Sequence, residues 1–324
     1  MCTAITLTTK DHYFGRNLDL EYSYNETITI TPRNYPFTFR KYKTLYPHYA
    51  LIGTAYVVDN YPLYYDATNE KGLSVAGLNF PENAFYNPFQ QEKDNITPFE
   101  FIPWILTQCA TVSEAKKRIQ SLNLFEEPFN EELPLSPLHW IITDKESSFV
   151  VEAVKEGLHI YENPVGVLTN NPPFPTQLFQ LNNYMHLSTK PLENHFSAEL
   201  NLKSYSNGMG AMGLPGDWSS QSRFIRATFA KMNSKCGDSE KESVSQFFHI
   251  LDSVAFPRGC VEIKPNLFEI TVYSSCCNTN KGIYYYKTYE NHQISAIHMH
   301  NEDLEGQSLI CYPMKTENEI YAIN

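Results

Sequence analysis

The sequence lacks an excess of positive charge, which argues against one broad class of partner. It contains 25 lysine and arginine residues against 36 aspartate and glutamate residues, and its formal net charge is -11. A protein that binds nucleic acid needs a basic face to meet the phosphates. We therefore expect no nucleic-acid partner and interpret the dispersed acidity as favouring solubility.

A long hydrophobic run is also missing. No stretch approaches the ~18 or more consecutive apolar residues of a membrane-spanning helix, so we expect no membrane partner. The first residues have no basic start, and Lys10-Asp11-His12 interrupts any apolar run of the kind that a secretory signal needs. The seven cysteines are an odd number. Together these features predict a cytoplasmic protein with reduced thiols.

Common catalytic and metal-binding signatures are absent as well. The sequence contains no Gly-x-Ser-x-Gly, Walker A or dinucleotide-binding motif. Cys276 and Cys277 could be combined with His298 and His300 into a zinc site, but adjacent cysteines without a Cys-x2-Cys pair have poor ligand spacing. We therefore expect no bound metal.

What the sequence does contain is enough apolar material for a sizeable core. Hydrophobic residues make up 42% of its 324 residues, and charged residues only 19%. We find no internal repeat, no low-complexity tract and no Pro/Gly/Ser linker long enough to separate two domains. Predicted strands come first, then helices, then both again. This order predicts one α+β domain over residues 1–324, with layered antiparallel sheets.

Local patterns place the individual elements. Period-two alternation and turn residues predict an N-terminal hairpin over residues 2–15 and strands over 26–31, 50–58, 61–67, 73–78, 138–143, 149–154, 166–169, 268–274, 282–288 and 293–298. A capping sequence, Thr97-Pro98-Phe99-Glu100, predicts a helix to about Cys109. Further helices are predicted from about Ser113, with Leu122 on its apolar face, and over residues 219–233 and 243–254.

Cys2 directly follows the initiator methionine. If Met1 is removed, Cys2 carries a thiol and a free α-amine on one carbon, and a useful fraction of both thiolate and free amine exists near neutral pH. N-terminal nucleophile enzymes use this pairing of nucleophile and base. A cysteine also occurs second by chance, so its meaning depends on residues further along. Cys109 with His139 is a rival catalytic pair, but Cys109 lies in a predicted helix and is interpreted as core.

An amide hydrolase also needs groups that support the nucleophile and the developing oxyanion. Arg16 and Asp19 lie on the segment that returns toward Cys2, where Asp19 could hydrogen-bond the α-amine and Arg16 could stabilise the thiolate. A surface ion pair explains the same spacing equally well.

Three more polar residues stand at the ends of predicted elements. Asn79 and Asn170 close strands, where asparagines commonly satisfy turns. Arg223 lies near the start of a helix, where an exposed cation is the ordinary explanation.

Longer motifs join these residues and carry a resemblance to a known family. They are Met1-Cys2-Thr3-Ala4, Phe14-Gly15-Arg16-Asn17-Leu18-Asp19, Asn69-Glu70-Lys71-Gly72-Leu73, Ala76-Gly77-Leu78-Asn79-Phe80, Pro134-Leu135-Ser136-Pro137-Leu138-His139-Trp140, Val165-Gly166-Val167-Leu168-Thr169-Asn170-Asn171-Pro172, Gly213-Leu214-Pro215-Gly216-Asp217, Ser222-Arg223-Phe224 and Tyr273-Ser274-Ser275-Cys276-Cys277. Over essentially the whole chain, the sequence resembles the choloylglycine hydrolases, which comprise bile salt hydrolases and penicillin V acylases.

The resemblance implies a four-layer αββα N-terminal nucleophile fold, a homotetramer and no cofactor. It implies that Cys2 is the nucleophile and that its α-amine, exposed when Met1 is removed, is the base. Arg16 and Asp19 match the residues that position and activate it, and Arg223 matches a further active-site arginine. Asn79, through its backbone N–H, and Asn170, through its side chain, match the oxyanion hole. Arg16 and Asn79 are also expected to bind substrate.

The resemblance also bears on the substrate. Family members that act on bile salts typically carry asparagine at position 79, whereas many penicillin V acylases carry tyrosine, so Asn79 favours glycine- and taurine-conjugated bile salts. Aromatic and aliphatic segments at residues 22–24, 56–65 and 122–135 could form the apolar surface that a sterol needs. The alternatives are a penicillin V or N-acyl homoserine lactone acylase and, from another class, a non-catalytic sterol-binding protein.

Overall fold

The N-terminal hairpin provides two central strands of the structure, a computed structural model that describes residues 1–324. Strands β1 (Cys2–Thr8) and β2 (His12–Leu20) pair antiparallel, with Cys2 opposite Leu18. All residues of β1 before Thr8 are buried, because both faces of this strand are covered by other layers.

The remaining strands follow in chain order. They are β3 (Thr27–Thr31), β4 (Leu51–Val58), β5 (Tyr61–Asn69), β6 (Ser74–Asn79), β7 (Asp94–Ile96), β8 (Leu122–Leu124), β9 (Leu138–Thr143), β10 (Ser148–Val154), β11 (Gly157–Glu162), β12 (Val167–Leu168), β13 (Glu262–Lys264), β14 (Leu267–Phe268), β15 (Ile270–Asn278), β16 (Ile283–Thr288), β17 (Ser295–His298) and β18 (Ile310–Pro313). The α-helices are α1 (Phe101–Leu106), α2 (Val112–Ile119), α3 (Phe174–Gln180), α4 (Ser220–Asn233) and α5 (Glu240–Asp252). None of these helices has the length and apolar character needed to cross a membrane.

Two antiparallel sheets form the centre of the fold. The six-stranded sheet has the order β12-β1-β2-β15-β16-β17, and the eight-stranded sheet has the order β11-β10-β9-β6-β5-β4-β3-β18. Each of the two sheets therefore contains strands from both the N-terminal and the C-terminal part of the chain. Two small sheets, β7 with β8 and β13 with β14, lie outside them.

Helices cover the outer faces of both sheets. Helix α1 packs on β5 and β6 of the eight-stranded sheet, where Trp104 and Trp140 share one hydrophobic core. Helices α4 and α5 pack on β1, β2 and β15 of the six-stranded sheet, and the core beneath them also includes Ala76 and Ile141 from the facing sheet. The order is helices, sheet, sheet, helices, so the predicted four-layer αββα α+β architecture is confirmed.

Most predicted elements are present within a few residues of their expected bounds. The N-terminal hairpin and the strands predicted over residues 26–31, 50–58, 61–67, 73–78, 138–143 and 149–154 correspond to β1 to β6, β9 and β10. The helix predicted over residues 219–233 is α4, with Ser219 as its N-cap. The strand predicted to end at Ser274 continues to Asn278 as β15.

Other predictions were wrong in detail. The helix predicted from Thr97 starts as a 3-10 turn, Pro98–Glu100, and ends at Leu106, so buried Cys109 lies beyond it. Leu122, expected on an apolar helix face, lies in β8. The partly exposed strand β11 and the short helix α3 were not predicted, because neither has a long apolar repeat.

The approach of β2 to β15 generates a stability prediction. A Cβ placed on Gly15 would lie 2.0 Å from the backbone oxygen of Ser275. Since both strands are central, the backbone must shift to accommodate a methyl group, and we expect Gly15→Ala to reduce the free energy of unfolding by about 2–3 kcal/mol. Urea denaturation measures this. The control is Gly216→Ala, whose added Cβ meets no atom within 4 Å; equal stability of the two variants would contradict the prediction.

Candidate active site

Cys2 lies in the interior, at the start of β1. Only 4% of its surface is exposed. Its backbone N–H donates to Asn170 Oδ1 at 2.9 Å, and its backbone oxygen accepts from Arg223 at 2.6 Å. In this structure Met1 precedes it, and the Met1 amine contacts Glu269 and the Asp19 backbone oxygen. The backbone of Cys2 is therefore held by two of the predicted site residues.

Arg223 is the main link between Cys2 and the rest of the site. It is fully buried. Its guanidinium donates to Trp218 O at 2.9 Å, to Thr3 Oγ1 at 2.6 Å and to Asn170 Oδ1 at 2.8 Å, in addition to Cys2 O. The expectation of an exposed cation at this helix start is therefore wrong. Burial lowers the pKa of Arg223, against the opposing effect of Asp19.

Asp19 lies on the helix-covered face of the six-stranded sheet. Its Oδ1 accepts from Thr271 Oγ1 at 2.6 Å, and its Oδ2 lies 3.9 Å from Arg223 Nη1 without a hydrogen-bond partner. The pairing of β2 with β15 shifts register between Thr271 and Tyr273, beside Asp19, as at a β-bulge. Burial raises the pKa of Asp19, although Arg223 opposes this.

Arg16 occupies a gap between two strands of the facing sheet. Strands β5 and β6 pair through Asp66 and Ala76, and the next opposing residues are Tyr65 and Gly77. Instead of continuing the ladder, the backbone oxygens of Tyr65 and Gly77 accept from Arg16 Nη1 at 2.9 Å and 2.6 Å. The Arg16 guanidinium thus replaces a strand-to-strand contact at the point where β5 and β6 separate.

Arg16 and Asp19 do not form an ion pair with each other. Residues three apart on a strand point to opposite faces. Arg16 accordingly contacts the eight-stranded sheet, whereas Asp19 faces Arg223 on α4. Both side chains are fully buried, which excludes the surface ion pair that their spacing also allowed.

Asn79 and Asn170 are brought together directly. Asn170 Nδ2 donates to Asn79 O at 2.7 Å. Phe80 N–H donates to Pro137 O at 2.7 Å, so Asn79 and Leu138 form a pair without ladder hydrogen bonds. The Asn79 N–H therefore points away from β9, toward the side on which β5 has separated. Ordinary turn formation does not explain either asparagine.

All six predicted residues consequently contact or adjoin one another around the start of β1. They come from β1, β2, β6, the loop after β12, and α4. The alternative metal site does not assemble, because Cys276 and Cys277 point to opposite faces of β15 and lie in different cores. The rival pair Cys109 and His139 is also excluded, because His139 is engaged by Glu152 and Thr169 instead.

Sequence reasoning missed Asp66, which lies close to Arg16. Its carboxylate accepts from Tyr273 Oη at 2.7 Å and from Tyr284 Oη at 2.6 Å. Burial raises the pKa of Asp66, against the opposing charge of Arg16. Burial by itself would lower the pKa of Arg16. Acidic neighbouring groups oppose this, Cys2 most strongly and Asp66 among the others, and they raise the pKa of Arg16 above its ordinary value. The available signal was a carboxylate within the strand predicted over residues 61–67, whose other residues are apolar or aromatic.

Sequence comparison now identifies the family. The sequence profile of the choloylglycine hydrolase family, described as linear amide C-N hydrolases, matches residues 2–312. The chain belongs to this family. It is 56% identical to the bile salt hydrolase/transferase of Lactiplantibacillus plantarum over 324 residues, which cover 100% of both chains. It is 39% identical to the bile salt hydrolase/transferase of Clostridium perfringens over 329 residues, again covering 100% of both.

A solved structure agrees with this assignment. The crystal structure of the C2A mutant of the conjugated bile acid hydrolase from Clostridium perfringens matches with a TM-score of 0.93 and 38% identity over 100% of both chains. The protein is thus a choloylglycine-family C–N hydrolase with the N-terminal nucleophile fold.

The contacts of Arg223 generate a prediction for this hydrolase. Arg223→Met would leave its buried oxygen acceptors unpaired and Asp19 without a facing cation, so we expect the free energy of unfolding to fall by about 3–5 kcal/mol. Chemical denaturation measures the loss. Arg226 on the same helix is a matched control, because its guanidinium also donates to several oxygens, in this case three backbone oxygens, but is only half-buried. An Arg226→Met protein that is destabilised equally would contradict the argument.

Proposed function

We propose that this enzyme hydrolyses the side-chain amide of glycine- and taurine-conjugated bile salts, releasing the free bile acid and the amino acid. The observation that carries the proposal is the arrangement of Asn170, Asn79 and Arg223 around Cys2 in a chain that is 56% identical to a bile salt hydrolase/transferase over its whole length. An exposed aromatic group supports a sterol substrate: Tyr24 packs against Tyr22 and Tyr56, with ring centroids 5.0 Å and 5.9 Å apart.

We assign the nucleophile to Cys2 Sγ and the general base to its α-amine, after removal of Met1. The sulfur attacks the amide carbonyl while the thiol proton passes to the amine. The tetrahedral intermediate then breaks its C–N bond, and the proton on the α-ammonium passes to the leaving glycine or taurine. Water then attacks the thioester while losing a proton to the α-amine. The C–S bond breaks, the free bile acid leaves, and the proton passes from the α-ammonium to the sulfur, which regenerates the thiol. The Cys2 nitrogen lies in the interior, 2.9 Å from Asn170 Oδ1, so the proposed base is held in place beside the thiol.

The oxyanion is assigned to Asn79 and Asn170. The Asn79 N–H points away from β9, and Asn170 Nδ2 has a second hydrogen beyond the one given to Asn79 O. Donors held in place before the reaction stabilise a developing charge without reorganisation. Arg16 and Asp19 are proposed to position and activate Cys2 from opposite faces of β2, and Arg223 to fix its backbone. Arg16 and Asn79 also contact substrate in this proposal.

Replacement of Cys2 tests the assigned nucleophile. Cys2→Ala should abolish release of glycine from glycocholate, because it removes the sulfur that attacks the amide carbonyl. Ninhydrin detection of the released amino acid measures this. The matched control is Cys109→Ala: Cys109 is equally buried and burial raises its pKa to about 11, so this variant should keep wild-type turnover. Full turnover by the Cys2→Ala protein would refute the mechanism.

Removal of Met1 tests the assigned base. A retained methionine converts the proposed base into an amide nitrogen, so active protein should lack Met1. Intact mass spectrometry of purified active enzyme, with turnover measured on the same sample, tests this. A dominant species that still carries Met1 and has full activity would contradict the proposal.

The substrate class is tested separately. Comparing rates on glycocholate, taurocholate and penicillin V distinguishes a bile salt hydrolase, which should prefer the first two, from an acylase with the same machinery. Binding of bile salts without any release of glycine or taurine would indicate the non-catalytic alternative.

We also propose that residues 1–324 form a single domain that assembles as a homotetramer in the cytoplasm. Both sheets combine strands from distant parts of the chain, which supports one domain. The segment 179–212 exposes apolar side chains, such as Phe179, Met185 and Phe196 at 71%, 81% and 83%, which supports a contact with further copies. The seven unpaired cysteines support a reducing compartment. Light scattering of the purified enzyme tests the assembly.

A further inference from the structure

One buried histidine touches the neighbours of both proposed oxyanion residues. His139 lies on β9 and has no exposed surface. Its ring stacks on that of Phe80, with centroids 4.3 Å apart and planes inclined by 6°. Its Nε2 lies 2.9 Å from Thr169 O. Phe80 directly follows Asn79, and Thr169 directly precedes Asn170, so one ring contacts two segments that the sequence separates widely.

The other ring nitrogen of His139 faces a buried carboxylate. Nδ1 lies 3.1 Å from Glu152 Oε1, which also accepts from Phe174 N–H at 2.9 Å. Both ring nitrogens therefore face oxygen acceptors. If both contacts are hydrogen bonds, His139 and Glu152 together carry one proton more than a neutral imidazole and an ionised carboxylate would. Whether this extra proton lies on His139 or on Glu152, His139 Nε2 carries a hydrogen and donates it to Thr169 O.

The segment that follows Thr169 has further support. Asn170 N–H donates to Ser220 Oγ at 2.8 Å, and Gln177 Nε2 donates to Asn170 O and, at 2.7 Å, to Pro172 O. These contacts fix the Asn170 segment against α3 and α4. None of them reaches Asn79. Two direct contacts also join the segments: Asn170 Nδ2 donates to Asn79 O at 2.7 Å, and Asn171 Nδ2 donates to Pro81 O at 2.9 Å. The His139 ring adds a third connection, which reaches Phe80 by stacking and Thr169 through Nε2.

We propose that His139 is a positioning residue for amide hydrolysis, holding the Asn79 N–H and the Asn170 side chain at the separation that the oxyanion requires. The inference rests on the proposed function, since it assigns a role within that reaction. Stacking fixes Phe80, and the Nε2 hydrogen bond fixes Thr169. Displacing a transition-state donor by about 1 Å can cost about 100-fold in rate, whereas binding of the unreacted substrate depends much less on this spacing.

Two variants test this role by removing either partner of the stacked pair His139 and Phe80. His139→Gln removes the ring, and Phe80→Leu removes the stacking partner while keeping an apolar side chain. For both we expect kcat on glycocholate to fall about 10- to 100-fold with KM changed less than about 3-fold, because the loss is confined to the transition state.

His48 supplies a matched control. It is also buried, its two ring nitrogens lie 2.7 Å from Tyr49 O and Tyr35 O, and its ring packs against Phe37 at 5.2 Å. His48 does not contact the site. His48→Gln should therefore lower the melting temperature as much as His139→Gln while leaving kcat of the folded enzyme within about 2-fold of wild type.

Two results would overturn the role of His139. One is wild-type kcat in both His139→Gln and Phe80→Leu; the other is a kcat loss that His48→Gln reproduces at equal folded fraction. If the wild-type enzyme hydrolyses penicillin V but not glycocholate, the bile-salt substrate is wrong, and the same comparison of kcat on penicillin V still decides the role of His139.

Discussion

The site depends on satisfying the guanidinium of Arg223 away from water. Removing this cation from solvent costs several kcal/mol unless its donors meet acceptors in good geometry. Those acceptors are the backbone oxygens of Cys2 and Trp218 and the side chains of Thr3 and Asn170. They belong to the first strand, to the loop after β12 and to the approach to α4. The charge is stable only when these parts have docked, so one buried cation connects Cys2 to the rest of the site.

A second constraint is the interrupted pairing of β5 and β6. Continuous sheets leave no backbone donor free in their interior, because every N–H is used by a neighbour. Arg16 supplies donors for the carbonyls of Tyr65 and Gly77, so the strands can separate without leaving buried oxygens unpaired. Beyond this point the Asn79 N–H is directed away from its remaining partner strand. The same arginine therefore contributes charge near Cys2 and permits a free backbone donor close by.

The sequence predicted the architecture better than it predicted how the six expected site residues meet. Alternation located β1 to β6 because each is long and regular, and whole-chain motifs indicated the family. Spacing could not show that Arg16 and Asp19 face opposite sides of β2, nor that Arg223 is buried, since both depend on layers formed by distant segments. The contacts of Asp66 and His139 could not be predicted for the same reason: their partners, Tyr284 and Thr169 among them, adjoin them only in the folded chain.

The long sequence separations around Cys2 have a consequence for biosynthesis. Arg223 is made 221 residues after Cys2, and Asn170 is made 168 residues after it. At about 5–20 residues per second, the ribosome needs about 10–45 s to reach Arg223. During this interval the N-terminus lacks Arg223, and for most of it Asn170 is missing too. An aminopeptidase can therefore reach Met1 while synthesis is still under way. Met1 is accessible before the site closes because the residues that enclose it lie far along the chain.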